Sequence, residues 1–301
     1  MNISIPVDPV IGPGRYIIAV SGGVDSMVLL DLLRLQPGMS LTVAHFNHGI
    51  REDSAEDRKL VQRIAGLYGL PFRYAEGRLG PGASEAAARE ARYAFLHEIR
   101  KSVGADAVVT AHHQDDVVET AILNIIRGSG RKGLTSLRST EFVRRPLLHA
   151  MKSQILEYAE HHDLEWREDS TNADDTYVRN HIRHTIVPRL GADGRQGLVN
   201  ILDSARITND EIDITVDAML HDITADGRLN RQSFILLEHA VAREVLAQWL
   251  RSQGFRELDR RLLERITLAA KTYTVGKSAD IGGGRILRVC KNYLALEVTE
   301  R

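Results

Sequence analysis

Short apolar runs alternate with longer amphipathic stretches through the first half of the chain. Residues 16–20 (Tyr-Ile-Ile-Ala-Val) are continuously apolar and rich in β-branched side chains, which predicts a strand; residues 27–33 carry apolar positions at helical spacing. The alternation continues with a strand at 41–46 and a helix over 53–68 that Asp53 or Ser54 would cap. A weaker strand at 71–75 precedes an Ala-rich helix over 84–102, for which Ser84 is the cap. A strand at 106–110 leads to a helix at 114–127, and a strand at 142–148 to a helix at 151–162. Pro146 cannot donate to a ladder, so the fifth strand belongs at an edge. This order predicts an α/β fold with a doubly wound, mostly parallel sheet.

The pattern changes around 188–197, where Pro, Gly and Asp cluster. We place a boundary there, giving domains over 1–190 and 191–301. The second domain reads as mainly helical, with helices over 198–222, 231–253 and 259–270. Strands at 278–281, 285–290 and 293–298 close it, and Gly282-Gly283-Gly284 reads as the turn of a short β-hairpin. Residues 1–14, with three prolines and two glycines, read as an irregular arm.

Composition narrows the class of protein. Of 301 residues, 43% are hydrophobic and 26% charged, ordinary for a globular protein. A net charge of −1 means that any nucleic-acid partner must be held by a local basic patch. The single cysteine, Cys290, excludes a disulfide framework and any Cys-x-x-Cys site within the chain, and points to the cytoplasm. The first residues lack a secretory pattern, and no apolar run has the length of a membrane span, so no membrane partner is expected.

The strongest chemical signal is Ser21-Gly22-Gly23-Val24-Asp25-Ser26, between the first strand and the first helix. Two glycines allow a tight turn and close backbone approach, and the helix start directs free amides and the positive dipole end at one spot. That spot suits a polyphosphate, with hydroxyls from both serines and a carboxylate, Asp25, able to hold a metal ion beside it. A plain turn capped by Ser21 is the simpler alternative, but the strand–loop–helix context favours phosphate binding. Gly128-Ser129-Gly130-Arg131-Lys132-Gly133 spells a dinucleotide motif but follows a helix, and Gly276-Lys277-Ser278 lacks the first glycine of a Walker loop.

Other polar stretches follow the second and fourth strands, at the carboxyl ends where α/β sheets bind ligands. Residues 45–52 (His-Phe-Asn-His-Gly-Ile-Arg-Glu) form either a nucleotide-contacting loop or a solvated turn. In residues 110–120, Asp116 and Glu119 lie three apart on one helix face, and Asp115 is close to Glu119. Such carboxylates are natural Mg²⁺ ligands, and His112 and His113 are able to donate to phosphate. Residues 127–145 hold Arg127, Arg131, Lys132, Arg138, Arg144 and Arg145 against Glu141, a basic glycine-containing loop that either tracks RNA phosphates or is simply solvated. An acidic turn at 169–175 leads to Arg179 and Arg183, one helical turn apart.

The hexapeptide resembles the loop of the N-type ATP pyrophosphatases, and it lacks the lysine of a Walker loop. Together with residues 45–51, 88–96, 110–120 with Arg127-Gly128, and 169–183, it makes the chain from 15 to 300 similar to the tRNA(Ile)-lysidine synthetase family. The resemblance implies an adenine nucleotide alpha hydrolase-like fold, and ATP with Mg²⁺ as cofactors. It implies adenylylation of the wobble cytidine of a tRNA(Ile) with a CAU anticodon, then displacement of AMP by free L-lysine. It would place Ser21, Gly22, Gly23, Val24, Asp25 and Ser26 on the nucleotide, and Asp25, Asp116 and Glu119 on the metal. His112, Arg92, Arg179 and Arg183 would be further site residues, and Asp25, Asp116 and Glu119 are unranked candidates for the general base that lysine requires. A homodimer is compatible with the resemblance. Some members carry a further C-terminal domain; this chain ends after the 293–298 strand and reads as a shorter form. The rival readings are a tRNA thiolase of the same loop family, a non-catalytic RNA-binding relative, and a small-molecule adenylylating synthetase.

Overall fold

The computed structural model describes residues 5–8, 11–47, 49, 54–77, 85–167, 178–255 and 258–298. His48, residues 50–52, Asp53, Ser84, residues 169–175 and Tyr177 therefore lie outside the described residues. The chain divides into two compact units, residues 1–123 with 136–200, and residues 124–135 with 201–301. The expected boundary at 190/191 thus sits ten residues earlier than the structural one, and a short internal segment joins the second unit.

In the first unit, β1 (Gly14–Ala19), β2 (Met39–Asn47), β3 (Phe72–Glu76), β4 (Ala107–Val109) and β5 (Val143–Arg144) form one sheet in the order β3-β2-β1-β4-β5. All neighbours are parallel. The short β5 lies at the edge, and Pro146 falls outside the ladder. Side-chain alternation along each strand separates two cores. Ile18, Val20, Val43 and Val109 pack with α1 (Val24–Arg34), α2 (Ser54–Leu67) and α6 (Lys152–His161). Ile17, Ala44 and Val108 pack with Leu96 and Ile99 of α3 (Glu85–Ser102) on the other face. Leu29, Leu30 and Leu33 of α1 are wholly buried, each contributing about 1.5–3 kcal/mol of apolar burial.

Strand order reverses between β1 and β4, which makes their junction the switch point where open α/β sheets bind ligands. Ile18 pairs with Val109 in parallel register, so Ser21 and His112 each stand three residues beyond the same rung. α4 (Gln114–Ile126) starts after β4, and its first amide donates to the Ala150 carbonyl just before α6 (3.0 Å). A small core of Val118, Leu123, Ile182, Val187 and Val199 ties α4 to α7 (Val178–His181), the π-helical turn Ile182–Ile186 and the first residues of α8 (Gly191–Ile223).

The second unit holds most of α8, α9 (Arg231–Leu236), α10 (His239–Ser252) and α11 (Arg260–Thr272) around Phe234, Leu246, Trp249 and Ile266. The terminal strands are not a lone hairpin. β8 (Ser278–Gly282), β9 (Arg285–Val289) and β10 (Tyr293–Val298) continue into β7 (Arg228–Asn230) and β6 (Thr224–Ala225), a five-stranded antiparallel sheet. The helix expected over 231–253 breaks at Leu237 and Glu238, both extended, and Lys271 donates to the carbonyls of Ile235 and Leu237 freed there. Packing has overridden local helical periodicity at this point.

The basic stretch 127–145 is not a free loop. Arg131 and Lys132 lie on α5 (Arg131–Leu134). Within the second unit, Arg131 donates to Asp213 at 2.6 Å and to Glu244 at 2.9 Å, and Lys132 Nζ is 2.8 Å from Asp213. In the first unit Arg145 is buried, donating to the Arg138 carbonyl and to the Tyr93 hydroxyl. Arg131, Lys132 and Arg145 are therefore committed to partners inside the protein.

Candidate active site

The hexapeptide turn is held by one side chain. The Ser26 hydroxyl accepts from the amides of Ser21 (3.1 Å) and Gly22 (3.3 Å) and donates to the Gly23 carbonyl (2.9 Å). Its single proton is thus used within the loop. Ser26 shapes the phosphate cradle, whereas exposed Ser21 presents its hydroxyl at the rim, where it accepts from the Gly23 amide (3.3 Å). Gly22 has φ +99, which a side chain would strain, and its carbonyl accepts from the Arg167 amide (3.0 Å). Arg167 Nε also pairs with buried Asp57 of α2 at 2.7 Å, so the loop is braced from outside. Helix geometry leaves the Val24 and Asp25 amides without intrahelical acceptors, directed at the switch point.

β2 contributes a brace as well. The His45 ring lies buried with Nδ1 2.8 Å from the Val20 carbonyl, and burial pushes its imidazole below the ordinary value. It anchors the start of the phosphate loop.

Across the switch point, α4 supplies the acids. Asp116 accepts from the His113 amide (2.9 Å) and lies 3.3 Å from Arg183 Nη2. Burial opposes its ionisation, but His113, His112, the amide and Arg183 together hold the carboxyl below its ordinary value. The buried His113 ring bridges the two loops: Nε2 is 3.8 Å from Asp25 Oδ1 and 3.7 Å from Asp116 Oδ2. Nδ1 accepts from the Asp115 amide (3.3 Å), so the Nε2 proton faces both carboxylates.

Glu119 is almost wholly buried and receives Arg183 side-on, with Nε to Oε1 at 2.6 Å and Nη2 to Oε2 at 2.9 Å. Arg179 Nε stands 3.6 Å from the same carboxylate. Burial nevertheless pushes the Glu119 carboxyl above its ordinary value. Arg183 sits on the π-helical turn, a geometry common at functional sites. Asp25 and Asp116 therefore converge on His113 while Glu119 faces arginines. Among the described residues no three His, Cys, Asp or Glu side chains gather as a metal site, and the expected set of Asp25, Asp116 and Glu119 is divided between His113 and the arginines.

The His112 Nδ1 lies 2.8 Å from the Thr110 hydroxyl. Burial pushes its imidazole down to about 3, with Arg145, Arg89 and Arg92 acting in the same direction and Asp116 against. α3 thus brings Arg92 within electrostatic reach of His112. His112 is neutral at physiological pH: its ring NMR signals are expected to stay constant between pH 8 and 5. A midpoint near 6.5 would show that the pocket does not exclude the charged form.

Sequence reasoning missed Lys152, the first residue of α6, whose Nζ lies 2.5 Å from Asp25 Oδ1. It belongs to no motif, and only its place beyond the fifth strand's carboxyl end signals it. Asp115, in contrast, turns to Arg195 at 3.4 Å.

A parallel sheet with a glycine-turn phosphate loop and an acidic helix start across its switch point defines a nucleotide-binding α/β protein. Residues 5–190 match the PP-loop domain family. A tRNA(Ile)-lysidine synthase from Gloeobacter violaceus is 35% identical over 253 residues, spanning 79% of this chain and 77% of that protein. One from Methylococcus capsulatus is 35% identical over 273 residues, covering 84% of this chain and 62% of its own length. One from Solibacter usitatus is 39% identical over 191 residues, and the chain spans 43% of it. The chain belongs to the tRNA(Ile)-lysidine synthase family of PP-loop proteins. A U34-tRNA thiolase from Methanococcus maripaludis shares the fold, with a TM-score of 0.55 at 20% identity over 66% of this chain and 73% of that one. Among the described residues no helix is long and apolar enough to cross a membrane.

Proposed function

We propose that this chain ligates free L-lysine to the wobble cytidine of a tRNA(Ile) with a CAU anticodon, using ATP and releasing AMP and pyrophosphate. The observation that carries the reading is the meeting of the Ser21–Ser26 loop and the α4 acids at one histidine, in a chain spanning 77% of a lysidine synthase relative. The loop amides and the α1 dipole would hold the phosphates. Asp25 and Asp116, both near His113, suit one Mg²⁺ whose remaining ligands are phosphate oxygens and water. When bound, that ion would offset charge on the departing pyrophosphate.

The His113 Nε2 proton is placed to donate between these carboxylates or to a phosphate oxygen. Lysine would bring its amine to Asp116 and Glu119. Of the two, Glu119, whose carboxyl burial raises, is the stronger base, and it would take the proton once the incoming amine displaces Arg183 from one of its oxygens. Arg92 and Arg179 would carry negative charge of the nucleotide or RNA. The helical second unit would hold the tRNA.

The test is incubation with ATP, radiolabelled lysine and a tRNA(Ile) transcript bearing CAU. Acid-insoluble label and tRNA-dependent pyrophosphate release are expected. A folded chain yielding neither product would sink the reading, and sulfur incorporation instead would favour the thiolase alternative.

A further inference from the structure

The phosphate loop carries no lysine, yet a lysine stands over it. α1 and α6 lie side by side and parallel: Asp25 meets Lys152, and Asp31 accepts from the Tyr158 hydroxyl at 2.9 Å, both pairs separated by 127 residues. Both helix N-termini therefore point toward the same end. The α6 start has no acidic residue in its first turn and carries Lys152 there, where the helix dipole disfavours a cation. Helix electrostatics do not favour that placement; negative charge between the two helix starts does, and in this structure Asp25 supplies it. Among the described residues the carboxylate on the ammonium is Asp25, which the reading above also places on Mg²⁺.

We infer that Lys152 is the phosphate-binding lysine of this site, pairing with Asp25 in the empty protein and transferring to the polyphosphate when Mg²⁺ takes Asp25. This rests on the nucleotide site assigned under the proposed function. The exchange conserves local charge: Asp25 trades one cation for another while the ammonium moves to the incoming anion. Only the side chain has to move. The α6 backbone is locked against α1 by the Tyr158–Asp31 bond and by buried Ile155 and Ala159, whereas the Lys152 side chain is 34% exposed.

The experiment is calorimetric titration of inorganic pyrophosphate into the whole chain, with and without MgCl₂, and of adenosine as control. Lys152→Met should weaken pyrophosphate binding about 10- to 100-fold, the range for losing charge-assisted hydrogen bonds, and leave adenosine binding unchanged. Lys152→Arg should recover most of the loss. Asp25→Asn without Mg²⁺ should tighten pyrophosphate binding, since it frees the ammonium and removes a like charge. In that background Lys152→Met should still weaken binding at least tenfold, which a residue that merely holds Asp25 would not do.

Wild-type affinity for pyrophosphate in Lys152→Met, equal loss of adenosine binding, or no effect in the Asp25→Asn background would overturn the inference and leave the proposed reaction standing. A Lys152-dependent pyrophosphate affinity in a chain that never incorporates lysine would instead keep this site and remove the reaction.

Discussion

Asp25→Asn is expected to lower ATP- and tRNA-dependent pyrophosphate release by about 100- to 1,000-fold, the scale for removing one preorganised electrostatic group from a reacting centre. Asp25 lies in the first turn of α1, half-buried, where its carboxylate faces Lys152 and His113. The substitution keeps the shape of the turn, because the Ser26 hydroxyl and Gly22 build the loop and Asp25 takes no part in those bonds. The loss should therefore fall on kcat, with the KM for ATP unchanged or lower. Steady-state kinetics at saturating Mg²⁺ measure this split. A variant with wild-type kcat would remove Asp25 from the chemistry, and an unfolded variant, seen by circular dichroism, would show it to be structural.

Arg183→Ala should carry the largest stability cost of any site substitution. Breaking a buried ion pair from one side costs about 3–5 kcal/mol, because the remaining charge stays desolvated. Here we expect about 2–3 kcal/mol, since the Arg183 side chain is 35% exposed and Arg179 remains 3.6 Å from Glu119. The cost depends on pH with a definite sign. The folded value of Glu119 lies above its ordinary one, so its protonation favours the folded state at low pH, and that contribution is lost as pH rises through the folded value. Arg183 offsets that loss at neutral pH. The destabilisation should accordingly be greatest at pH 7 and shrink on acidification, and Glu119→Gln should recover part of it. Urea midpoints at pH 7 and 5, for the single and double variants, give the comparison. A cost independent of pH, with no recovery, would mean that Arg183 acts through packing and not through its charge.

Much of the first unit was legible from periodicity. The β1, β2 and β4 strands and the α1, α3 and α4 helices fall close to where apolar spacing put them. A buried strand and an amphipathic helix each write their period into the chain. β5 was overestimated: residues 142–148 are apolar enough to look like a strand, but only Val143 and Arg144 pair with β4, and the rest turns toward α6. The α9–α10 break was invisible because Leu237 and Glu238 are ordinary helix formers. The basic stretch after α4 misled for a related reason, since composition does not reveal acidic partners 82 and 113 residues away.

The site divides in the same way. Ser21–Ser26 and Asp116 with Glu119 were readable because the chemistry depends on local spacing: a glycine turn before a helix, and acids one turn apart on a helix face. Their roles were not readable. Ser26 was expected on the nucleotide, and in this structure its hydroxyl closes the loop on Gly23. Glu119 was expected on the metal, and in this structure Arg183 lies on both of its oxygens. Lys152 carried no motif at all. Sequence by itself determined which groups this protein can bring to a phosphate, because glycine turns, helix starts and carboxylate spacing are properties of neighbouring residues. Only the tertiary structure decided which partner each charge meets. The parallel register of β1 with β4 and of α1 with α6 brings Asp25 to His113 and Lys152, and such pairings are set by packing across 88 to 127 residues of chain.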